Sequence, residues 1–314
     1  MLVATDLSEQ SLCALEFAAA QYRTRAEELD ITLLTIIEDP RLTTVAFDPE
    51  FASVIGDDPA RDMEHPIRGR LRTLADQFFP RCPVHVDTFR GTSAVGHDIA
   101  TYARARSCSE LVIATHGRSG LGRLLMGSVA EETLRHSPCA TFVIPSRPGA
   151  RHAARKDRPP RILVLTDFSP EAECVFPHAR RQAEALKELH PQIILLHVID
   201  DVLSASYHMT LGCDVESIWG ELQQRAESEI SAIHARHFPS ELVVTTVTRQ
   251  EKSIGADIVN FAKARDVDLI ILSTHGRRGV QHLLLGSVAE RVIRTTDCPA
   301  LIVPVGGFAM NRLS

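Results

Sequence analysis

Short apolar runs recur along this chain, each followed by a longer stretch in which apolar and polar positions mix at helical spacing. In the first half the runs Leu2–Thr5, Ile31–Ile37, Val84–Phe89, Glu110–Thr115 and Ala140–Ile144 predict strands. The segments between them predict helices from about Ser8 to Leu29, up to Phe79 after the polar stretch Glu38–Pro59, over Ala94–Ala105, and from Ser128. Ser8 stands where it can cap the first helix; in the second half Ser169 does so, with Pro170 in the first helical position. Strands alternating with helices predict a parallel, doubly wound sheet. On such sheets ligands sit at the carboxyl ends of the strands, where the strand order switches.

The pattern then repeats. LVATDLS at Leu2–Ser8 returns as LVLTDFS at Leu163–Ser169, and THGRSGLGRLLMGSVAE at Thr115–Glu131 returns as THGRRGVQHLLLGSVAE at Thr274–Glu290. SPCATFVIP at Ser137–Pro145 returns as DCPALIVP at Asp297–Pro304. Same order and nearly constant offset mean a duplication. The chain therefore reads as two tandem five-stranded α/β domains, Rossmann-like, over residues 1–146 and 161–314. Between them, residues 147–160 carry Arg147, Arg151, Arg155, Lys156 and Arg158 against the single acid Asp157, punctuated by Pro and Gly. This basic segment reads as a solvated linker, with a phosphate-binding arm as the alternative.

Composition narrows the classes. A length of 314 residues suits two domains. A net charge of −6, one Trp and three Tyr argue against wholesale nucleic-acid binding or an aromatic platform for single strands. The opening MLVATDLSEQ reads as a strand rather than a signal peptide, and no apolar run is long enough to span a membrane. Seven cysteines, an odd count without a CxxC pair, predict reduced thiols and a cytoplasmic protein rather than a disulfide framework or zinc finger.

The chemistry concentrates in the loop after the fourth strand. The first half reads Ala114-Thr-His-Gly117, nine residues, Gly127-Ser128; the second reads Ser273-Thr-His-Gly276, nine residues, Gly286-Ser287. Glycines let backbone approach a ligand, and backbone N–H groups ending at a helix N-terminus form an anion site. The Walker A lysine is absent. Ser128 and Ser287 also open S-V-A-E, a capping box with Glu131 and Glu290, and the two readings are compatible. His116 and His275 read as loop-shaping or phosphate-contacting, since no nucleophile or carboxylate partner lies at a known spacing. Arg118, Arg123 and Arg277 serve equally as counter-charges or solvated residues. His234 and His237 lack further ligands for zinc.

On these residues the chain resembles the universal stress protein family, whose loop runs Gly, two residues, Gly, nine residues, Gly-Ser/Thr. Nearly the whole chain outside the linker shares the likeness, with Ala114 and Ser273 replacing the first glycine. The resemblance implies an adenine nucleotide-binding fold of the adenine nucleotide alpha hydrolase type. Its ligand would be ATP or AMP, with Mg²⁺ accompanying ATP. It places Asp6 and Asp167 at the ribose or adenine end and Ile36 and Val198 against the base. An Asp in that position serves equally to order the turn or cap the helix. The loop set is Ala114, His116, Gly117, Gly127 and Ser128 in one half and Ser273, His275, Gly276, Gly286 and Ser287 in the other. Gly91 matches the family after the third strand, while Gln250 departs from it, which favours the first half as the working site. Family domains pair through their last strand, so intramolecular pairing of the two domains and a homodimer are the expected assemblies. Three functions stand: a non-catalytic nucleotide-binding stress regulator, a slow ATPase, and a nucleotide-free interaction scaffold.

Overall fold

Every apolar run of the first half becomes a strand, and all strand pairs within each half are parallel. The computed structural model describes residues 1–26, 28–38, 58–80, 82–116, 126–152, 154, 157–200, 215–238, 243–275 and 285–305. The chain divides between Pro148 and Gly149 into two compact units. Unit 1 runs β1 (Leu2–Ala4), α1 (Leu12–Arg25), β2 (Ile31–Ile37), α2 (Pro59–Phe78), β3 (Val84–Arg90), α3 (Val95–Ala105), β4 (Glu110–Ala114), α4 (Ser128–His136) and β5 (Ala140–Ile144). Unit 2 repeats it with β6 (Arg161–Leu165), α5 (Val175–Ala185), β7 (Gln192–Ile199), α6 (Val215–His237), β8 (Val243–Arg249), α7 (Ile254–Ala264), β9 (Leu269–Ser273), α8 (Ser287–Thr295) and β10 (Ala300–Val303).

Strand order is β3-β2-β1-β4-β5 in unit 1 and β8-β7-β6-β9-β10 in unit 2. The chain winds outward from β1 in one direction, then returns to build β4 and β5 on its other side. The switch point therefore lies between β1 and β4, and in unit 2 between β6 and β9. The central strands are buried and mostly apolar because helices cover both faces, with Glu110 at the start of β4 a charged exception. The edge strand β3 is partly exposed along its length and reads more polar. Among the described residues no helix is long and apolar enough to cross a membrane.

Helix α3 lies against α4 at close range. A Cβ on Gly96 would stand 2.7 Å from both the Val129 carbonyl oxygen and the Thr133 nitrogen, so only glycine fits that crossing. Gly255 occupies the same position in α7, where a Cβ would meet the Arg291 side chain at 2.7 Å.

The first helix starts later than the sequence suggests. Ser8 caps a 3-10 turn, Glu9–Ser11, accepting from the Ser11 N–H, and α1 begins only at Leu12. In unit 2 Ser169 caps the 3-10 turn Pro170–Cys174 ahead of α5. The cause is the residue before each cap: Leu7 (φ 65°) and Phe168 (φ 64°) are left-handed, which turns the chain out of β1 or β6 before a helix can form.

Buried charge separates the units. In unit 1 the Arg25 guanidinium donates to Glu110 at 3.0 Å, the two side chains being 0% and 1% exposed. The duplication offset puts Leu186 and Leu269 at the same two positions of unit 2. In unit 2 two described residues of the basic segment, Arg151 and Arg158, pack on the domain instead of standing in solvent, while Arg155 and Lys156 lie outside the described residues. Arg158 pairs with Asp268 at 2.7 Å, with side chains 15% and 4% exposed, and also donates to the Asp266 carbonyl. Asp268 further accepts the Arg161 N–H at 2.8 Å, and the Arg151 N–H donates to the Asp297 carbonyl at 2.8 Å. A buried carboxylate at the foot of β9 requires a counter-charge, and the segment supplies it.

Burial also sets thiol reactivity. It pushes Cys139 up to about 12 and Cys298 up to about 11, far from the thiolate range. Labelling of the native chain with iodoacetamide at pH 8, mapped by peptide mass spectrometry, should mark the half-buried Cys82 while sparing both. Urea should expose all of them equally. Fast native labelling of Cys139 would contradict this burial.

Candidate functional site

Strand register brings the candidate residues to one end of each sheet. Val3 lies opposite Val112 and Ala4 opposite Leu34, so Asp6, Ile36 and Thr115 leave three adjacent strands at the same level. In unit 2 Val164 pairs with Ile271 and Leu165 with Leu196, which aligns Asp167, Val198 and Thr274 in the same way.

The turn after β1 is built by side chains. Thr5 Oγ1 accepts from the Leu7 N–H at 3.0 Å, and Asp6 Oδ1 accepts from the Ser8 N–H at 3.0 Å and the Ser8 hydroxyl at 2.5 Å. Unit 2 repeats each bond: Thr166 Oγ1 accepts from the Phe168 N–H at 3.1 Å, and Asp167 Oδ1 from the Ser169 N–H and hydroxyl at 3.0 and 2.6 Å. A left-handed residue bearing a Cβ costs about 1–2 kcal/mol. Two different side chains, Leu7 and Phe168, adopt it at the same place, so the geometry is demanded by position. The turn-ordering role of Asp6 and Asp167 is thus observed, on carboxylates that remain half-exposed at the strand ends.

At the next strand, Gly91 packs on Ile36. The Gly91 N–H donates to the Ile37 carbonyl at 2.9 Å, and a Cβ would stand 3.3 Å from Ile36 Cγ2 and 3.3 Å from Asp98 Oδ2. In unit 2 the Gln250 N–H makes the matching bond to the Ile199 carbonyl at 3.0 Å. The backbone course does not require glycine, and Gln250 is accommodated with its hydrogen bond kept.

Asp98 escaped the sequence reading. It is 1% exposed and accepts four bonds: from the Thr92 and Ser93 N–H groups at 3.0 and 3.3 Å and from both hydroxyls at 3.0 Å. It holds the turn that carries Gly91. Asp257 does the same in unit 2, accepting from the Glu251 and Lys252 N–H groups at 3.0 and 3.2 Å. The available signal was an Asp six residues past the turn's first donor in both halves, RGTSAVGHD and RQEKSIGAD.

The loop closes on the end of β4. The Thr115 N–H donates to the Ile144 carbonyl at 2.9 Å, and the Gly127 N–H returns to the Thr115 carbonyl at 2.8 Å. A Cβ on Gly127 would stand 3.0 Å from that oxygen. Gly286 repeats the return to Thr274 at 2.9 Å, with a Cβ clearance of 2.9 Å. His116 Nδ1 lies 3.0 Å from Thr115 Oγ1 and 3.3 Å from Ser146 Oγ; His275 Nδ1 lies 3.0 Å from Thr274 Oγ1. Their partners among the described residues are hydroxyls, not carboxylates. Both Nε2 atoms are buried without a hydrogen-bond partner among the described residues. Ala114 and Ser273 end their strands half-buried. Gly117, Gly276, Arg118, Arg123 and Arg277 lie outside the described residues.

The expected capping boxes do not form. Gly127 (ψ 147°) and Gly286 (ψ 144°) occupy the cap positions, and no side chain caps either helix among the described residues. Ser128 and Ser287 therefore sit one residue inside, as the first helical residues. Glu131 and Glu290 instead pair one turn on, with Arg135 at 2.8 Å and Arg294 at 2.8 Å. The first intrahelical bonds are those of the Glu131 and Glu290 N–H groups to the Gly127 and Gly286 carbonyls. An N-terminus whose first-turn amides meet no side-chain acceptor among the described residues fits an anion such as a phosphate. Among the described residues no cluster of three or more His, Cys, Asp or Glu could hold a metal ion.

The units differ in one wall. Thr35 donates its hydroxyl to the Thr5 carbonyl at 2.8 Å; His197 Nδ1 makes the equivalent contact with the Thr166 carbonyl at 2.9 Å. Its ring stacks on Phe168, centroids 4.1 Å apart. Unit 2 thus carries an aromatic pair beside Asp167 where unit 1 carries Leu7 and Thr35.

Comparison with known proteins places both halves in one family. A model of the universal stress protein family matches residues 1–145 and again residues 160–304. A universal stress protein of Mycolicibacterium smegmatis is 24% identical over 306 residues, covering 96% of each chain. Universal stress protein MJ0577 of Methanocaldococcus jannaschii is 31% identical over 161 residues, 46% of this chain and 93% of that one. The crystal structure of a universal stress protein from Archaeoglobus fulgidus superposes with a TM-score of 0.61 at 18% identity, covering 98% of this chain and 96% of that one.

Proposed function

The chain belongs to the universal stress protein family in both of its halves, and from that premise we propose that each unit holds an adenine nucleotide, ATP or AMP, as a non-catalytic stress-response regulator. The observation that carries this reading is the pair of helix N-termini at Gly127 and Gly286, returned by hydrogen bonds to the ends of β4 and β9. Backbone N–H groups of the first turns of α4 and α8 would take phosphate oxygens. Ile36 and Val198 would line the base. Asp6 and Asp167, already fixed by their serine partners, would present a carboxylate to hydroxyl or amino donors. Bound ATP would bring Mg²⁺ with it as the phosphate counter-ion. The hydroxyl partners of His116 and His275 favour this regulator over an ATPase, because among the described residues both imidazoles meet hydroxyls and no carboxylate that would support a general base.

Freshly purified chain, denatured and analysed by mass spectrometry, should release adenine nucleotide approaching one molecule per unit. Gly127→Asp places a carboxylate at the α4 cap, against the Thr115 carbonyl and the phosphate position. Gly286→Asp does the same at α8. Each should weaken its own unit about a hundredfold or more, roughly 2.8 kcal/mol, and the double variant should carry nothing. A wild-type chain that releases no nucleotide, and takes up none from Mg-ATP, would leave the interaction scaffold as the answer.

A further inference from the structure

Where each fourth strand hands the chain to its loop, the strand-end residues of the two units differ by one oxygen atom. Ala114 ends β4 and Ser273 ends β9. The Ser273 hydroxyl donates to the His275 carbonyl at 2.6 Å, at the short end of O–H···O distances. The residues on either side of this bond are themselves fixed. His275 Nδ1 meets Thr274 Oγ1 at 3.0 Å, and that oxygen accepts from the Val305 N–H at 3.2 Å. Unit 1 keeps the corresponding threonine and histidine contacts, with Ser146 in place of Val305: the Ser146 N–H donates to Thr115 Oγ1 at 3.1 Å, and its hydroxyl adds side-chain contacts of 3.2 Å to Thr115 Oγ1 and 3.3 Å to His116 Nδ1, which leave the His116 carbonyl untouched. What unit 1 lacks is the donor at the strand end, because alanine carries none.

We propose that Ser273 is a positioning residue that latches the backbone at His275, and that unit 2 for this reason releases its nucleotide more slowly than unit 1. The second clause rests on the nucleotide reading given above; the latch itself does not. A backbone segment held before the ligand arrives loses less freedom on binding, and such pre-organisation acts mainly on the dissociation rate. Glycine at this position would have supplied neither the restricted backbone nor the hydroxyl. Ser273 supplies both, Ala114 only the first.

Ser273→Ala removes the donor alone, Ser273→Thr restores it, and Ala114→Ser adds it to unit 1. Release is read on the full chain by chasing radiolabelled ATP with unlabelled ATP, with Gly127→Asp silencing unit 1 or Gly286→Asp silencing unit 2. Ser273→Ala should speed release from unit 2 by about three- to tenfold, the range for losing one hydrogen bond. Ser273→Thr should return it to the wild-type rate, and Ala114→Ser should slow release from unit 1. A change in thermal stability without these rate changes overturns the proposal, as does an equal rate for serine and alanine. Hydrogen–deuterium exchange of nucleotide-free chain reads the latch by itself. Peptides spanning 273–287 should exchange faster in Ser273→Ala, and peptides spanning 114–128 more slowly in Ala114→Ser. Identical exchange overturns the latch. Altered exchange in a chain that binds no ATP supports the latch and overturns the slower-release claim together with the nucleotide reading.

Discussion

Arg25→Leu is expected to cost unit 1 about 3–5 kcal/mol, the penalty for stranding one member of a fully buried ion pair. The Glu110 carboxylate, 1% exposed, would lose the guanidinium 3.0 Å away. Unit 2 shows the way out. By the duplication offset it carries leucine at both positions, Leu186 and Leu269; Leu269 is 6% exposed, and the half-buried Leu186 follows the last residue of α5. The double variant Arg25→Leu/Glu110→Leu should therefore recover most of the loss, because apolar replacement of a buried pair is often neutral or stabilising. Urea unfolding followed by hydrogen exchange in β1 and β4 peptides separates unit 1 from unit 2. A double variant as unstable as the single one would show that the site needs its charges for something other than each other.

The second large effect falls on Asp98. Asp98→Ala leaves two N–H groups and two hydroxyls without their common acceptor. A buried charged acceptor of this kind contributes roughly 2–4 kcal/mol once non-additivity is allowed for. The turn it ties carries Gly91 against Ile36, so loss of order there should also weaken the nucleotide binding proposed for unit 1, with unit 2 untouched. Asp257→Ala provides the internal control: its two recorded bonds run to exposed residues, and its cost should be well under half as large. Equal destabilisation by the two variants would refute the dependence on burial. Equilibrium unfolding and ATP titration of each variant decide both points.

Much of the fold was legible because its causes are local. The run ITLLTII is apolar on both faces and can only be an interior strand, and it is one, Ile31–Ile37. The matched turns at Asp6 and Asp167 were legible because the repeat displays them twice. What was missed depends on partners far along the chain or on backbone geometry. Arg25 and Glu110 are separated by 85 residues, and a lone arginine near a helix end reads as solvated until the fold closes over it. Arg158 looked like one charge among several in a linker; only Asp268, 110 residues on, makes it part of a core. S-V-A-E has the composition of a capping box, but Gly127 and Gly286 had already taken the cap. Nothing in the letters of Leu7 or Phe168 announces a left-handed residue. Thr5, Asp6 and Ser8 impose it, and their bonds become visible only once the turn is built.

The pairing of Arg25 with Glu110 has a consequence for the gene as well as for the protein. Consider a tract of sequence copied from one duplicated half into the other. A tract that overwrote α1 with α5 would set leucine against Glu110; one that overwrote β4 with β9 would set Arg25 against leucine. Either strands a charge in the interior at several kcal/mol. Only a tract carrying both positions passes through a stable intermediate, so this one contact acts as a barrier to homogenisation and lets the two units drift apart.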